Sequence, residues 1–430
     1  MAVFPYLSYP FTTDPKPEYS RIRNLIGREQ LSQRLIILLS FKFHKNRNMK
    51  KTILLLLLLF VTIGGSAQVI YEEFNSSKLG ESRQLKIQLP RSYNISTEKV
   101  YPIIIVLDGD YLFEPVAGNV DYFSYWEDMP ESIVVGVMQG NSRYDDCAYD
   151  DSNFLPADKG ADFFEFIGLE LLPYIDANYR TAKFLIAVGH DFTANFINYY
   201  LFKDPPLFNG YINLSPDLAP SIDLSIPDRI PNIKSKIFYY LATGTDDVRA
   251  LREVAENLNN SLKELKSDNF DYAYDNFEGA THYSLVARGI PNAIEKIFSV
   301  YRPISKKEYS DVLLKLETPI HLYLVDKYKT IEDLFGLTNP IRVNDFIATG
   351  RAAEKKKQWD SLREIATLAK RQYPDTVLGD YFLGRYYEET GDPKKAMRTF
   401  QAAFDKEEVD FITIDLMLEK ADKIKEDFGY

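Results

Sequence analysis

The chain has 430 residues, 45% hydrophobic and 26% charged, with a net charge of −11. That length allows two or three domains with a large buried core. An acidic surface repels phosphate, which argues against a nucleic-acid partner or an anionic membrane surface. The one cysteine, Cys147, allows no disulfide within the chain. Tyr (30) and Phe (28) are abundant, and residues of this kind fill cores more often than they line sites.

Residues 1–48 carry scattered proline and basic residues, with no clean amphipathic period before Leu31–Phe43. They read as an extension ahead of a true start at Met49. Met49-Lys50-Lys51 leads into an apolar run from Ile53 to Ile63, then Gly64-Gly65-Ser66-Ala67. A basic start, a short apolar core and small residues make an export signal over 49–67, cut after Ala67, of the kind that sends a bacterial protein to the periplasm or beyond. The run is too short to span a bilayer, so no membrane span is expected after cleavage. No cysteine follows the small residues to carry a lipid.

Gln84–Pro90 alternates apolar and polar residues, as a half-exposed strand does. Pro102–Leu107 and Ile133–Val137 are continuous β-branched runs, which read as strands buried on both faces. A helix is expected over Gly160–Ile175. Leu185–Gly189 forms another buried strand and passes at once into a helical pattern at Asn195–Tyr200. Strands at Tyr211–Leu214, Ile237–Ala242 and Phe270–Phe277 follow, with a helix near Arg249–Leu265 between the last two. A closing helix covers Ile290–Tyr301. Alternating strands and helices predict an α/β domain over 68–305 with a mainly parallel sheet. Residues 306–343 connect it to a helical region over 344–430. There Gly350 and Gly384 lie 34 residues apart, as do Leu362 and Ala396, matching the period of a tetratricopeptide repeat. Two such units are too few to stand alone, so the block is expected to pack on the α/β domain. It either binds a protein partner or serves as a plain helical hairpin.

Ligands in parallel sheets sit at the carboxyl ends of the strands. Asp108-Gly109-Asp110, Gly189-His190-Asp191, Ser215, Asp246-Asp247 and His282 all fall at such ends. The strand-to-helix turn at Asp191 has the shape of a nucleophile elbow, with Asp where a serine would stand. Thr193 and Ala194 replace the glycines usual there. Asp145-Asp146 and Asp150-Asp151 bracket Cys147 but lack the glycine and terminal Glu of a calcium loop, so a solvated acidic loop is expected. Nothing in the pattern calls for a metal or a cofactor. His190 reads as structural, and His321 lies outside the site.

The order Tyr101–Gly109, Val134–Val137 with Arg143, Leu172–Ile175, Tyr179-Arg180, Asn213–Pro216, Gly244–Asp247 and Gly279–His282 resembles the putative esterase family of the α/β-hydrolase superfamily, which includes esterase D and siderophore-ester hydrolases. The resemblance covers about residues 70–300. It implies a triad with Asp191 on the serine position, Asp247 or Asp246 as the acid and His282 as the base. It implies oxyanion donors at the N–H groups of Phe192 and the Gly109–Asp110 turn. Arg143 and Ser215 are candidate substrate contacts. The expected ligand is a small-molecule ester, a glycan or a peptide.

A carboxylate attacking an acyl carbon would form a mixed anhydride and oppose the developing oxyanion. Three readings follow. Asp191 attacks an sp³ carbon, as in epoxide hydrolases and dehalogenases, which Gly189-His190-Asp191 resembles. Or His282, oriented by Asp247 or Asp191, activates water without a covalent step. Or the fold binds and has lost the chemistry. Against all three, Asp191, Asp246 and Asp247 can act simply as helix caps.

Overall fold

The computed structural model describes residues 69–430. The extension over 1–48 and the export signal over 49–67 lie outside the described residues. Eight strands form one sheet: β1 (Val69–Ser76), β2 (Glu81–Gln88), β3 (Tyr101–Val106), β4 (Ile133–Val137), β5 (Thr181–His190), β6 (Gly210–Leu214), β7 (Ile237–Asp246) and β8 (Phe270–Thr281). Their spatial order is β1-β2-β4-β3-β5-β6-β7-β8. β1, β2 and β4 pair antiparallel, and every other neighbouring pair is parallel. This is the α/β-hydrolase arrangement.

Successive side chains of β3 explain why its sequence shows no alternation. Ile103 and Ile105 enter one core with Phe163, Phe166 and Phe196, while Ile104 and Val106 enter a second with Phe113, Phe184 and Ile290. Both faces are dry, so every position is apolar. Each such side chain contributes about 1.5–3 kcal/mol by leaving water. Helices α1 (Phe113–Tyr125) and α4 (Ser284–Ile297) cover the second face. The first is covered by α2 (Phe192–Asn198), α3 (Arg249–Leu262) and a helical run over Lys159–Glu165, Phe166–Leu171 and Leu172–Asn178.

Several boundaries differ from the sequence reading, β5 starting at Thr181 and β7 running to Asp246 among them. β1 was not expected. It is an edge strand with Glu72 and Glu73 in its middle, so its polar residues mask its period. β8 continues to Thr281, past Phe277. α4 begins at Ser284 although Gly289-Ile290-Pro291 reads as a break. Burial of Leu285, Val286 and Ile290 along one face holds the helix through the proline.

Register sets the strand ends level. Val106 pairs with Val188, His190 with Leu214, and Leu214 with Ala242. Asp108, Asp191 and Ser215 therefore leave the sheet side by side. Asp246 pairs with Thr281, which brings Asp247 and His282 to the same edge.

Beyond the sheet come α5 (Lys306–Asp311), α6 (Ile320–Phe335), α7 (Val343–Lys355), α8 (Trp359–Gln372), α9 (Leu378–Glu389), α10 (Pro393–Gln401) and α11 (Ile414–Phe428). They close a third core around Phe346, Leu362, Ile365, Phe382 and Phe400. The two glycines 34 residues apart serve the same purpose. A Cβ on Gly350 would lie 2.3 Å from the Phe382 ring, and one on Gly384 2.4 Å from Phe400. Helix α6 fastens this block to the sheet. Its Ile320 and Leu324 belong to the third core, its Ile331 and Phe335 to the second. Phe335 packs edge-on against Phe184 of β5, with ring centroids 4.8 Å apart.

Candidate active site

The elbow is built where β5 turns into α2. Asp191 has φ 60° and ψ −120°, a conformation that non-glycine residues hold only under constraint. Three groups impose it. The Asp191 N–H donates to the Leu214 carbonyl at 3.1 Å. The Thr193 Oγ1 accepts from the His190 N–H at 2.9 Å. Gly189 leaves the helix room to approach, since a Cβ there would lie 2.5 Å from the Thr193 backbone. Asp191 is the N-cap of α2, yet its side chain makes no capping bond. It faces Arg143 instead.

Arg143 organises this side of the site. Its Nε and Nη2 bind the two Asp108 carboxylate oxygens at 2.5 and 3.0 Å. Its Nη1 lies 3.3 Å from Asp191 Oδ2, and Nη2 also donates to the His190 carbonyl at 3.1 Å. The guanidinium stands over the Phe192 ring, 5.3 Å from its centroid. Asp108 is 1% exposed and takes a further bond from Thr193 Oγ1 at 2.7 Å. Thr193 thus fills the place of the expected glycine and joins the polar network.

His282 is held from the other side. Its Nδ1 lies 2.9 Å from Asp247 Oδ1 and 3.1 Å from Ser215 Oγ. A carboxylate only accepts, so in the neutral ring Nδ1 carries the proton and Nε2 presents a lone pair. Burial raises the Asp247 pKa, but bonds from His282, Ser215, Thr243 and the Val248 N–H outweigh it and hold the group down at about 2. The Thr243 and Val248 bonds are 2.8 and 2.7 Å long.

His190 joins the two sides. Its Nε2 faces the His282 carbonyl at 3.0 Å, and a carbonyl cannot donate, so Nε2 carries hydrogen. Burial, reinforced by His282, pushes His190 down to about 4 and keeps it neutral. Its Nδ1 lies 2.9 Å from the Tyr111 hydroxyl, whose single proton is also in reach of Asp108 Oδ2 at 3.0 Å. The two imidazole rings are tilted by 37° with centroids 4.4 Å apart.

Several expected roles move. The Asp246 carboxylate is exposed and, among the described residues, accepts a hydrogen bond only from Thr245, while Asp247 faces His282. Ser215 is 0% exposed and braces the imidazole from behind, so it cannot meet a substrate. Arg143 spends its donors on Asp108, Asp191 and His190 rather than on a substrate contact. The Gly109 N–H is bound to the Val137 carbonyl at 2.9 Å. An N–H so engaged is not free to meet an oxyanion, against the expectation for Gly109. The Asp110 side chain instead fastens the next loop, accepting from the Gln139 and Gly140 N–H groups at 2.9 Å each. Nor is the acidic loop wholly solvated. Asp146 is buried in an ion pair with Arg83 at 2.5 Å, while Asp150 and Asp151 remain exposed. His321 sits in the helical block against Ser361, away from the site.

The sequence reading missed Tyr111, Thr193 and Asp217 as members of the site. The Asp217 N–H donates to the Asp191 carbonyl at 3.2 Å. Asp217 follows Ser215-Pro216 at a strand end, a position that could have marked it. A hollow of about 610 Å³ lies elsewhere, at the junction with the helical block, between Ser299, Leu322 and Lys327. Among the described residues, no group of three or more His, Cys, Asp or Glu could hold a metal, and no helix is long and apolar enough to cross a membrane.

Residues 76–376 match the family described as "Putative esterase". A crystal structure of an uncharacterised protein from Capnocytophaga ochracea is 31% identical, with a TM-score of 0.75, covering 84% of this chain and 100% of that one. An IroE-like serine hydrolase from Shewanella oneidensis is 19% identical, with a TM-score of 0.52, covering 71% of this chain and 99% of that one. The latter shares the fold. No match was found among curated proteins. The chain belongs to the putative esterase family and carries that family's α/β-hydrolase sheet with an aspartate at the elbow.

Proposed function

We propose that this chain is a hydrolase of small-molecule esters in which His282 activates water directly. The observation that carries the reading is the bond from His282 Nδ1 to Asp247 Oδ1, 2.9 Å long, which leaves Nε2 free to accept a proton. Water bound at Nε2 gives that atom a proton as its oxygen attacks the ester carbonyl. The tetrahedral oxyanion takes hydrogen bonds from the N–H groups of Phe192 and Asp110. Its collapse breaks the bond to the leaving alkoxide, which recovers the proton from Nε2. An acid and an alcohol leave, and Asp247 stabilises the imidazolium between the two transfers. Asp191, tied to Arg143, forms no bond to the substrate.

His282→Asn should lower the hydrolysis rate over a panel of short-chain esters about a thousandfold, the range of a lost general base. An unchanged rate would reject the role of His282. A second reading, binding without chemistry, is favoured by the Asp191–Arg143 pair, which puts a carboxylate where a nucleophile would stand. Wild type that turns over no ester would support it.

Export belongs to the same proposal, on the signal pattern at 49–67. Mature protein should be found outside the cytoplasm with Gln68 at its N-terminus; a chain still beginning at Met49 would contradict it.

A further inference from the structure

The charges and rings around His282 bear on which esters the site selects. Asp108 and Asp191 share one guanidinium, that of Arg143. Asp217 stands against the elbow backbone, half-buried, and among the described residues its carboxylate has no ion pair and no hydrogen bond. His190 brings no positive charge, since burial keeps it neutral. Asp217 therefore adds a negative charge next to the elbow that no Lys or Arg pairs with among the described residues. An oxyanion formed there gains nothing from Asp217, but a cation does.

The rim is aromatic. Tyr283 is 77% exposed, with its ring centroid 5.1 Å from His282 and 6.2 Å from His190. Tyr111, 43% exposed, lies 5.9 Å from His190 on another side. Tyr144, 69% exposed, packs edge-on against Phe192 at 5.2 Å, next to Asp191. Three exposed tyrosines thus stand around the two imidazoles and the elbow. Ring faces and a free carboxylate together are the chemistry that holds an ammonium group, above all one too substituted to be strongly hydrated.

We infer that Asp217 and Tyr283 determine specificity, selecting esters that carry a quaternary or protonated amine within a few bonds of the carbonyl. This rests on the hydrolase reading of His282 and adds the substrate class to it. Burial and the neighbouring Asp191 raise the Asp217 pKa, and His282 offsets only part of that rise.

The test is calorimetric titration of the full chain with choline and with 3,3-dimethylbutanol, its uncharged isostere, alongside hydrolysis of their acetate esters. Choline should bind about tenfold more tightly than the isostere, the scale of a partly desolvated cation–ring contact. Asp217→Asn, isosteric at a half-buried position, and Tyr283→Ala, at an exposed one, should each erase most of that preference while the isostere binds as before. Equal affinity for the two alcohols, or a preference that survives both substitutions, overturns the inference. Choline binding without turnover of either ester supports the ligand class and contradicts His282 chemistry. Turnover of both esters at equal efficiency does the reverse.

Discussion

The two halves of this site are held together by different physics. On the β7–β8 side, His282, Asp247, Ser215 and Thr243 form a chain of directed hydrogen bonds that fixes one tautomer. On the β5 side, Asp108, Asp191 and Arg143 form an ion cluster around the elbow. The first half is poised to move a proton. The second is poised to keep charges where they are. This contrast between the two halves is the ground on which we propose water, rather than Asp191, as the attacking group.

The comparison breaks first at Arg143. Arg143→Met leaves Asp108 buried without its partner, which should lower unfolding free energy by about 3–5 kcal/mol. Urea denaturation measures it. A loss under about 1 kcal/mol would mean that the cluster does not hold the elbow.

His190 sharpens it, because it belongs to both halves. Its folded pKa of about 4 lies below the ordinary 6.5, so the unfolded chain takes up a proton first as pH falls. Its contribution to stability is complete above pH 6.5 and is lost as pH drops toward 4, by up to about 3 kcal/mol. Asp247, held near 2, acts only in the acid range below that window. Urea midpoints between pH 7 and 4.5 should fall steeply in wild type and flatten in His190→Gln. An unchanged slope would remove His190 from the account.

Much of this was legible in the sequence for one reason. Strands buried on both faces announce themselves as apolar runs, and their ends mark the site edge. Asp191 and His282 were found that way, and so was Asp247, although sequence could not separate it from Asp246. That choice depends on which side chain leaves β7 toward β8, which the register fixes. The edge strand β1 was hidden by its glutamates. The Arg143 cluster was hidden by distance, since Asp108, Arg143 and Asp191 are far apart in the chain and follow β3, β4 and β5, which the sheet pairs side by side. Ser215 and Gly109 were misjudged because a residue at a strand end can face the ligand or the backbone behind it. Nothing in a linear pattern tells these apart.

The attack of water rather than Asp191 is tested most directly by one single-turnover hydrolysis in ¹⁸O-water, followed by mass analysis of the released acid and of the peptide containing Asp191. The account predicts the label in the acid and none in Asp191. Label in the Asp191 carboxylate would show that the elbow attacks after all, and the division between the two halves would fall.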